Sequence, residues 1–231
     1  MKNENYKVIS KEEGFAKWWD KYIYLREKGT GDIYRLKIEQ DYYPLNPRRD
    51  YDCNLCTIIS QKGNWDIGDP GCSYTRGEAP EKYEELERRR DNGEIFILPI
   101  YMYDHSGKTI SLNDFHDSWD SGVCGFAFVE KERLFKEYPD TTEDNWKEKA
   151  YQVIQNEIEI YDKYIEGEVY AWFLEKAEVV KHTRESDGQT WETIEWERTE
   201  AVGGYFGDPE ESNLVDDAIG DRFEYIEEVK D

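Results

Sequence analysis

Apolar positions in this chain gather into short runs separated by charged stretches, and two runs dominate. Residues 95–103 read IFILPIYMY and residues 123–129 read VCGFAFV. Apolar runs of this length, rich in Ile, Val and aromatic side chains, suit buried strands. Ile97, Ile100, Phe126 and Phe128 are therefore expected to be buried in adjacent strands. Between the two runs lies a polar, aromatic-rich insert holding two short turns, Asp104-His105-Ser106-Gly107 and Trp119-Asp120-Ser121-Gly122.

The pattern elsewhere changes period from stretch to stretch. Residues 11–21 suit a short helix that hands over to a strand at 22–26. Gly29-Thr30-Gly31-Asp32 then turns the chain into 33–39, where Ile33, Arg35 and Lys37 alternate with Tyr34, Leu36 and Ile38. Residues 55–60 read as a strand and 64–77 as a loop punctuated by glycine and proline. Residues 78–90 suit a helix, with Pro80 in its first turn, Arg88, Arg89 and Arg90 at its end, and Asn92-Gly93 as the stop. One helical turn is expected at 133–138.

The clearest helix spans 141–165, where Ala150, Ile154, Ile158, Tyr161 and Ile165 form one stripe. Thr141 or Thr142 can cap it and Gly167 can end it. Two strands follow at 168–181 and 190–199, joined around Asp187-Gly188 as a C-terminal hairpin. Residues 201–207 (AVGGYFG) suit a flexible or tightly turned link, and 209–219 a short helix. The order of elements predicts an α+β fold with a mixed, mainly antiparallel sheet. A single domain over 1–231 is expected, with an aromatic-rich, near-neutral region 1–139 and a strongly acidic region 140–231.

Charge sharpens that division. The chain carries 53 acidic and 30 basic residues, a net of −23. Residues 140–231 hold 27 of the acidic and 9 of the basic ones, a net of −18, against −5 for the rest. A field this negative repels phosphate backbones, which argues against direct nucleic-acid binding and favours a basic groove on another protein. Hydrophobic content is only 38%, yet 18 Tyr, 9 Phe and 8 Trp speak for a folded, aromatic core. The polar start, the lack of a long apolar run and four cysteines in a chain of 231 residues fit a soluble cytoplasmic protein without a disulfide framework.

Candidate chemistry is incomplete wherever it occurs. Cys53-x-x-Cys56 with Cys72 offers three thiolates to zinc, but no second pair completes the ligand set, and small buried thiols are the plainer reading. Asp104, His105, His116, Asp117, Asp120 and Cys124 could build a histidine-activated thiolate or a divalent-metal site. No known catalytic motif is matched, and the plainer reading of both turns is structural. Glu210, Glu211, Asp216, Asp217 and Asp221 lack the spacing of a calcium loop. No cofactor is expected. The acidic residues Glu157, Glu159, Asp162, Glu166, Glu192, Glu195 and Glu197 could line an extended negative surface that imitates DNA; the plainer reading is a solvated face that keeps the protein soluble.

Two stretches carry a resemblance. Leu98-Pro99-x-Tyr101-x-Tyr103-Asp104-His105-Ser106-Gly107 with Trp119-Asp120-Ser121-Gly122 and Gly125, and Glu159-x-x-Asp162-x-Tyr164-x-x-Gly167-x-x-Tyr170, resemble a group of uncharacterised proteins encoded by bacteriophages and prophages. The resemblance implies phage origin and action in the bacterial cytoplasm, and brings no catalytic residues. The leading expectation is a non-enzymatic acidic inhibitor of a host nucleic-acid-handling defence system, of anti-restriction or anti-CRISPR type. A small enzyme built on residues 104–124 and a phage structural or assembly protein that could form homo-oligomers are the alternatives.

Overall fold

The computed structural model describes residues 6–15, 22–63 and 65–227. Its elements in chain order begin with α1 (Lys11–Phe15), β1 (Ile23–Glu27), β2 (Ile33–Gln40), β3 (Cys56–Gln61), β4 (Ser73–Tyr74) and α2 (Ala79–Asp91). The middle of the chain forms β5 (Ile95–Asp104), β6 (Lys108–Ser111), β7 (Ser121–Glu130), α3 (Lys131–Glu137) and α4 (Trp146–Glu166). The chain closes with β8 (Val169–Thr183), β9 (Thr190–Phe206), α5 (Leu214–Ile219) and β10 (Phe223–Ile226). The fold is α+β with two mainly antiparallel sheets. No helix among the described residues is long and apolar enough to cross a membrane.

The chain divides into two compact units, and the composition boundary at 139/140 does not mark their division. One unit joins residues 1–44 to 168–231; the other is the segment between them, 45–167. The charge step in the sequence therefore falls inside a unit. Counted by unit, the net charges are −12 and −11, almost equal.

The discontinuous unit is a five-stranded sheet in the order β10-β1-β2-β8-β9. The alternation read in the sequence is what packs it. Ile23, Leu25, Leu36, Ile38, Trp172 and Leu174 point to one face, where Phe15 of α1 and Leu214, Val215, Ala218 and Ile219 of α5 join them. The other face holds aromatic and cationic side chains. The Arg35 guanidinium lies 3.8 Å from the Tyr22 ring centroid and 4.4 Å from that of Trp196, and Arg198 lies 4.3 Å from Phe173.

β8 and β9 extend well beyond this sheet. Tyr34 with Lys176 is the outermost pair between β2 and β8, and from Ala177 outward β8 pairs with β9 alone. β9 also reaches further than the sequence suggested, since residues 201–206 belong to the strand and not to a flexible link. The glycines serve close approach. A Cβ on Gly203 would stand 2.5 Å from the Asp41 carboxylate, which accepts the Gly204 N–H at 3.1 Å.

The inserted unit is a second sheet, β4-β3-β7-β5-β6, with β3 and β4 parallel and the other pairs antiparallel. The two apolar runs of the sequence become β5 and β7 and pair directly, Ile97 opposite Phe128 and Pro99 opposite Phe126. Ile100 and Phe128 are buried; Ile97 and Phe126 are half-buried on the face that α2 covers, where Leu86 and Tyr83 meet them. On the opposite face α4 lays Ala150, Ile154, Ile158 and Tyr161 over Ile58, Ile100 and Met102. α4 starts at Trp146, five residues later than its apolar period suggested, because residues 142–145 form a turn in which the Asn145 side chain accepts the Thr142 N–H at 2.7 Å. Gly167 ends it in the left-handed conformation, φ 77°.

Candidate functional site

Beside the buried stripe of α4 runs a second row at helical spacing, Tyr151, Gln155, Glu159 and Asp162. The row faces β6 and the loop after it, including Phe115, across a cleft of about 290 Å³. β6 is an edge strand. Asp162 takes up one of that strand's outward N–H groups: one carboxylate oxygen, Oδ1, accepts the Ile110 N–H at 2.7 Å and the Thr109 hydroxyl at 2.9 Å. Burial raises the Asp162 pKa, and these two hydrogen bonds oppose the rise. Glu159 accepts a hydrogen bond from Gln155 at 2.8 Å. Glu159 and Asp162 belong to the second stretch singled out in the sequence. Its wall across the cleft lies between the two turns of the first.

The loop that leads into the second turn is built by its own side chains. Asp114 accepts the His116 N–H at 2.9 Å, and Asp117 accepts those of Trp119 at 2.8 Å and Asp120 at 3.0 Å. These two N–H groups hold the Asp117 pKa below the usual carboxylate value. The loop lifts Trp119 into solvent, 93% exposed. Ser106 and His116 both take positive φ, 63° and 57°. Asp104, His105 and Asp120 do meet: the Asp104 N–H donates to the Asp120 carbonyl at 2.9 Å, and His105 Nδ1 lies 2.9 Å from Asp120 Oδ2. The Trp65 indole N–H donates to Asp104 at 3.0 Å.

The cysteine of the enzymatic alternative does not join them. Cys124 is buried under α4, donates to the Ile100 carbonyl at 3.4 Å, and is pushed up to about 12 by burial. A thiol held protonated inside an apolar core is no nucleophile at neutral pH. His116 is exposed and faces Asp114 at 3.6 Å. The three candidate zinc ligands are likewise apart in kind: Cys53 is exposed, Cys56 packs under α4, and Cys72 packs on the opposite face of the sheet. Among the described residues no group of three or more His, Cys, Asp and Glu side chains could hold a metal ion. The C-terminal carboxylates also have other partners, Asp216 pairing with Lys11 and Asp217 accepting the Tyr205 hydroxyl.

The acidic surface is smaller than the sequence suggested. Glu157 belongs to a buried network around Arg48, a residue the sequence did not single out. Arg48 is 5% exposed and donates to both oxygens of Asp69 at 2.7 and 2.8 Å, to Glu157 at 2.5 Å and to the Cys56 carbonyl at 2.8 Å. The second oxygen of Glu157 accepts the Leu55 N–H at 2.7 Å. Glu157 is therefore occupied inside the fold and does not belong to an open negative face, while Asp162 is half-buried with one of its two oxygens engaged. Glu159 and Glu166 remain exposed on α4.

Glu192, Glu195 and Glu197 are exposed on the projecting β8–β9 ribbon. Glu195 stands directly opposite Glu178, and neither forms an ion pair among the described residues. Glu192 is opposite Lys181 and Glu197 opposite Lys176, whose ammonium pairs with Asp32 at 2.8 Å. At the distal end His182 stacks on Trp191 with centroids 5.4 Å apart.

Comparison with family models, with curated proteins and with solved structures finds no match to this chain.

Proposed function

We propose that this protein is a non-catalytic acidic inhibitor, encoded by a phage and acting in the bacterial cytoplasm, that occupies the basic groove of a host nucleic-acid-handling defence protein. The observation that carries the reading is the β8–β9 ribbon. It extends past the sheet, and its exposed carboxylates include the directly opposed pair Glu178 and Glu195. Like charges at opposed positions of a ribbon lower its own stability. A cationic partner surface would relieve that repulsion and would be attracted over a distance of about 8 Å at physiological ionic strength. The burial of Cys124 removes the nucleophile from the enzymatic alternative.

The test reverses Glu178, Glu192, Glu195 and Glu197 to lysine. All four are exposed on the ribbon, so the thermal midpoint should stay within a few degrees of the parent, as surface charges contribute little to stability. Parent and variant are then immobilised as baits for bacterial lysate, and retained proteins are eluted with duplex DNA. The expected result is a set of DNA-eluted nucleic-acid-binding proteins on the parent and its loss on the variant. Equal retention by both baits would overturn the reading.

A further inference from the structure

We propose that the cleft between β6 and α4 binds a small organic cation, a primary ammonium carried on a short carbon chain. The site lies within the inserted unit and does not depend on the ribbon. Its volume of about 290 Å³ is at the small end of ligand pockets, about 300–1,000 Å³.

The chemistry of the walls selects the ligand. Among the described residues the only charged side chains lining the cleft are the carboxylates of Glu159 and Asp162, with no Lys, Arg or His. Both hydrogen bonds to Asp162 fall on Oδ1, and Oδ2 has no hydrogen-bond or ion-pair partner among the described residues. The neighbouring cation on the helix, Lys163, pairs with Glu166 at 3.5 Å and acts on Asp162 only as a weaker, opposing influence beside its burial. A half-buried carboxylate with one open oxygen is unfavourable as it stands and is relieved by a cation. Anionic ligands are repelled, and a neutral polyol would leave the charge uncompensated. Two carboxylates without a third ligand fall short of what a bare divalent ion requires. An ammonium group carries three N–H donors, enough to serve both carboxylates. The rings of Phe115 and Tyr151 line the same cleft and offer apolar surface for the chain and a π face for the charge.

The probe is 1,4-diaminobutane, with 1,4-butanediol as its neutral counterpart, titrated into the 231-residue chain at physiological ionic strength and followed by amide chemical shifts. The diamine should saturate one site with shifts concentrated in residues 109–115 and 151–162, and the diol should cause none. Asp162→Asn keeps an oxygen for Thr109 and Ile110 while removing the charge, and should weaken the diamine at least tenfold. Glu159→Gln and Tyr151→Ala should each weaken it severalfold, and they decide the matter if Asp162→Asn does not fold. The ribbon variant with four lysines should bind the diamine as the parent does, so failure of the inhibitor reading leaves this site standing. Non-saturating shifts spread over the acidic surface, or an affinity unchanged in the cleft variants, would reduce the effect to unspecific attraction by a chain of net charge −23 and overturn the proposal.

Discussion

Asp162 and Glu157 sit five residues apart on one helix and read alike in the sequence, as members of an acidic face. The structure gives them different tasks, and long-range partners decide which. Arg48 lies 109 residues before Glu157, and the edge N–H of Ile110 lies 52 residues before Asp162. Helical periodicity carries no information about such partners, so neither role was legible. What can be tested at this scale is the charge on Asp162. Its pKa in the fold is raised above the unfolded value, by burial first. The ionised form therefore lowers stability in full above the raised pKa. That penalty disappears as pH falls through the raised value toward the ordinary carboxylate range, where the folded state takes up its proton first. Asp162→Asn should accordingly be more stable than the parent at pH 7, and the difference should shrink on acidification. Urea melts at several pH values check this; a difference that grows as pH falls would contradict the assignment.

At the scale of elements the sequence was most informative where one local rule decides. The hairpin over Gly29–Asp32, the stop of α2 at Asn92-Gly93, the stripe of α4 and its Gly167 cap all follow from spacing and backbone freedom, and all are present. The misreadings occur where a distant side chain overrides local character. Residues 201–206 look flexible because of Gly203-Gly204, yet they form the base of β9, and the missing Cβ of Gly203 makes room for Asp41. Gly203→Ala should therefore cost about 1–3 kcal/mol through overpacking. Asp41→Ala introduced alongside should recover part of that loss, since residues in contact are not additive. Denaturant melts of the two single variants and the double variant measure the coupling, and purely additive losses would show that the strand holds Gly203 for another reason. β6 was missed altogether, since four residues at a sheet edge give too short an alternation to stand out.

For the whole molecule, the decisive feature is that one unit is inserted into the other, and the insertion is invisible to composition. Charge was divided at 139/140, but the chain is divided at 44/45 and 167/168. β2 and β8 are adjacent strands, with Gln40 opposite Tyr170 and the Asp41 N–H donating to the Val169 carbonyl at 2.7 Å. The ends of the outer unit therefore lie as close as the ends of a hairpin. Replacing residues 45–167 by a short Asn-Gly turn should leave an outer unit that melts cooperatively, because every described residue of the core cluster over α1 and α5 belongs to that unit. Circular dichroism with a thermal scan checks it. A broad, non-cooperative transition would show that the outer unit depends on the insert.

The insertion also fixes an order of events on the ribosome. β1 and β2 leave the exit tunnel as a bare two-stranded hairpin, which is marginal in water by itself. Their neighbour β8 is synthesised on the order of ten seconds later at about 5–20 residues per second. In that interval residues 45–167 emerge with every strand of their own sheet and can close their core. Strands made early are thus among the last to find their place, with Ile23, Leu25, Leu36 and Ile38 open to chaperones until translation has passed β8.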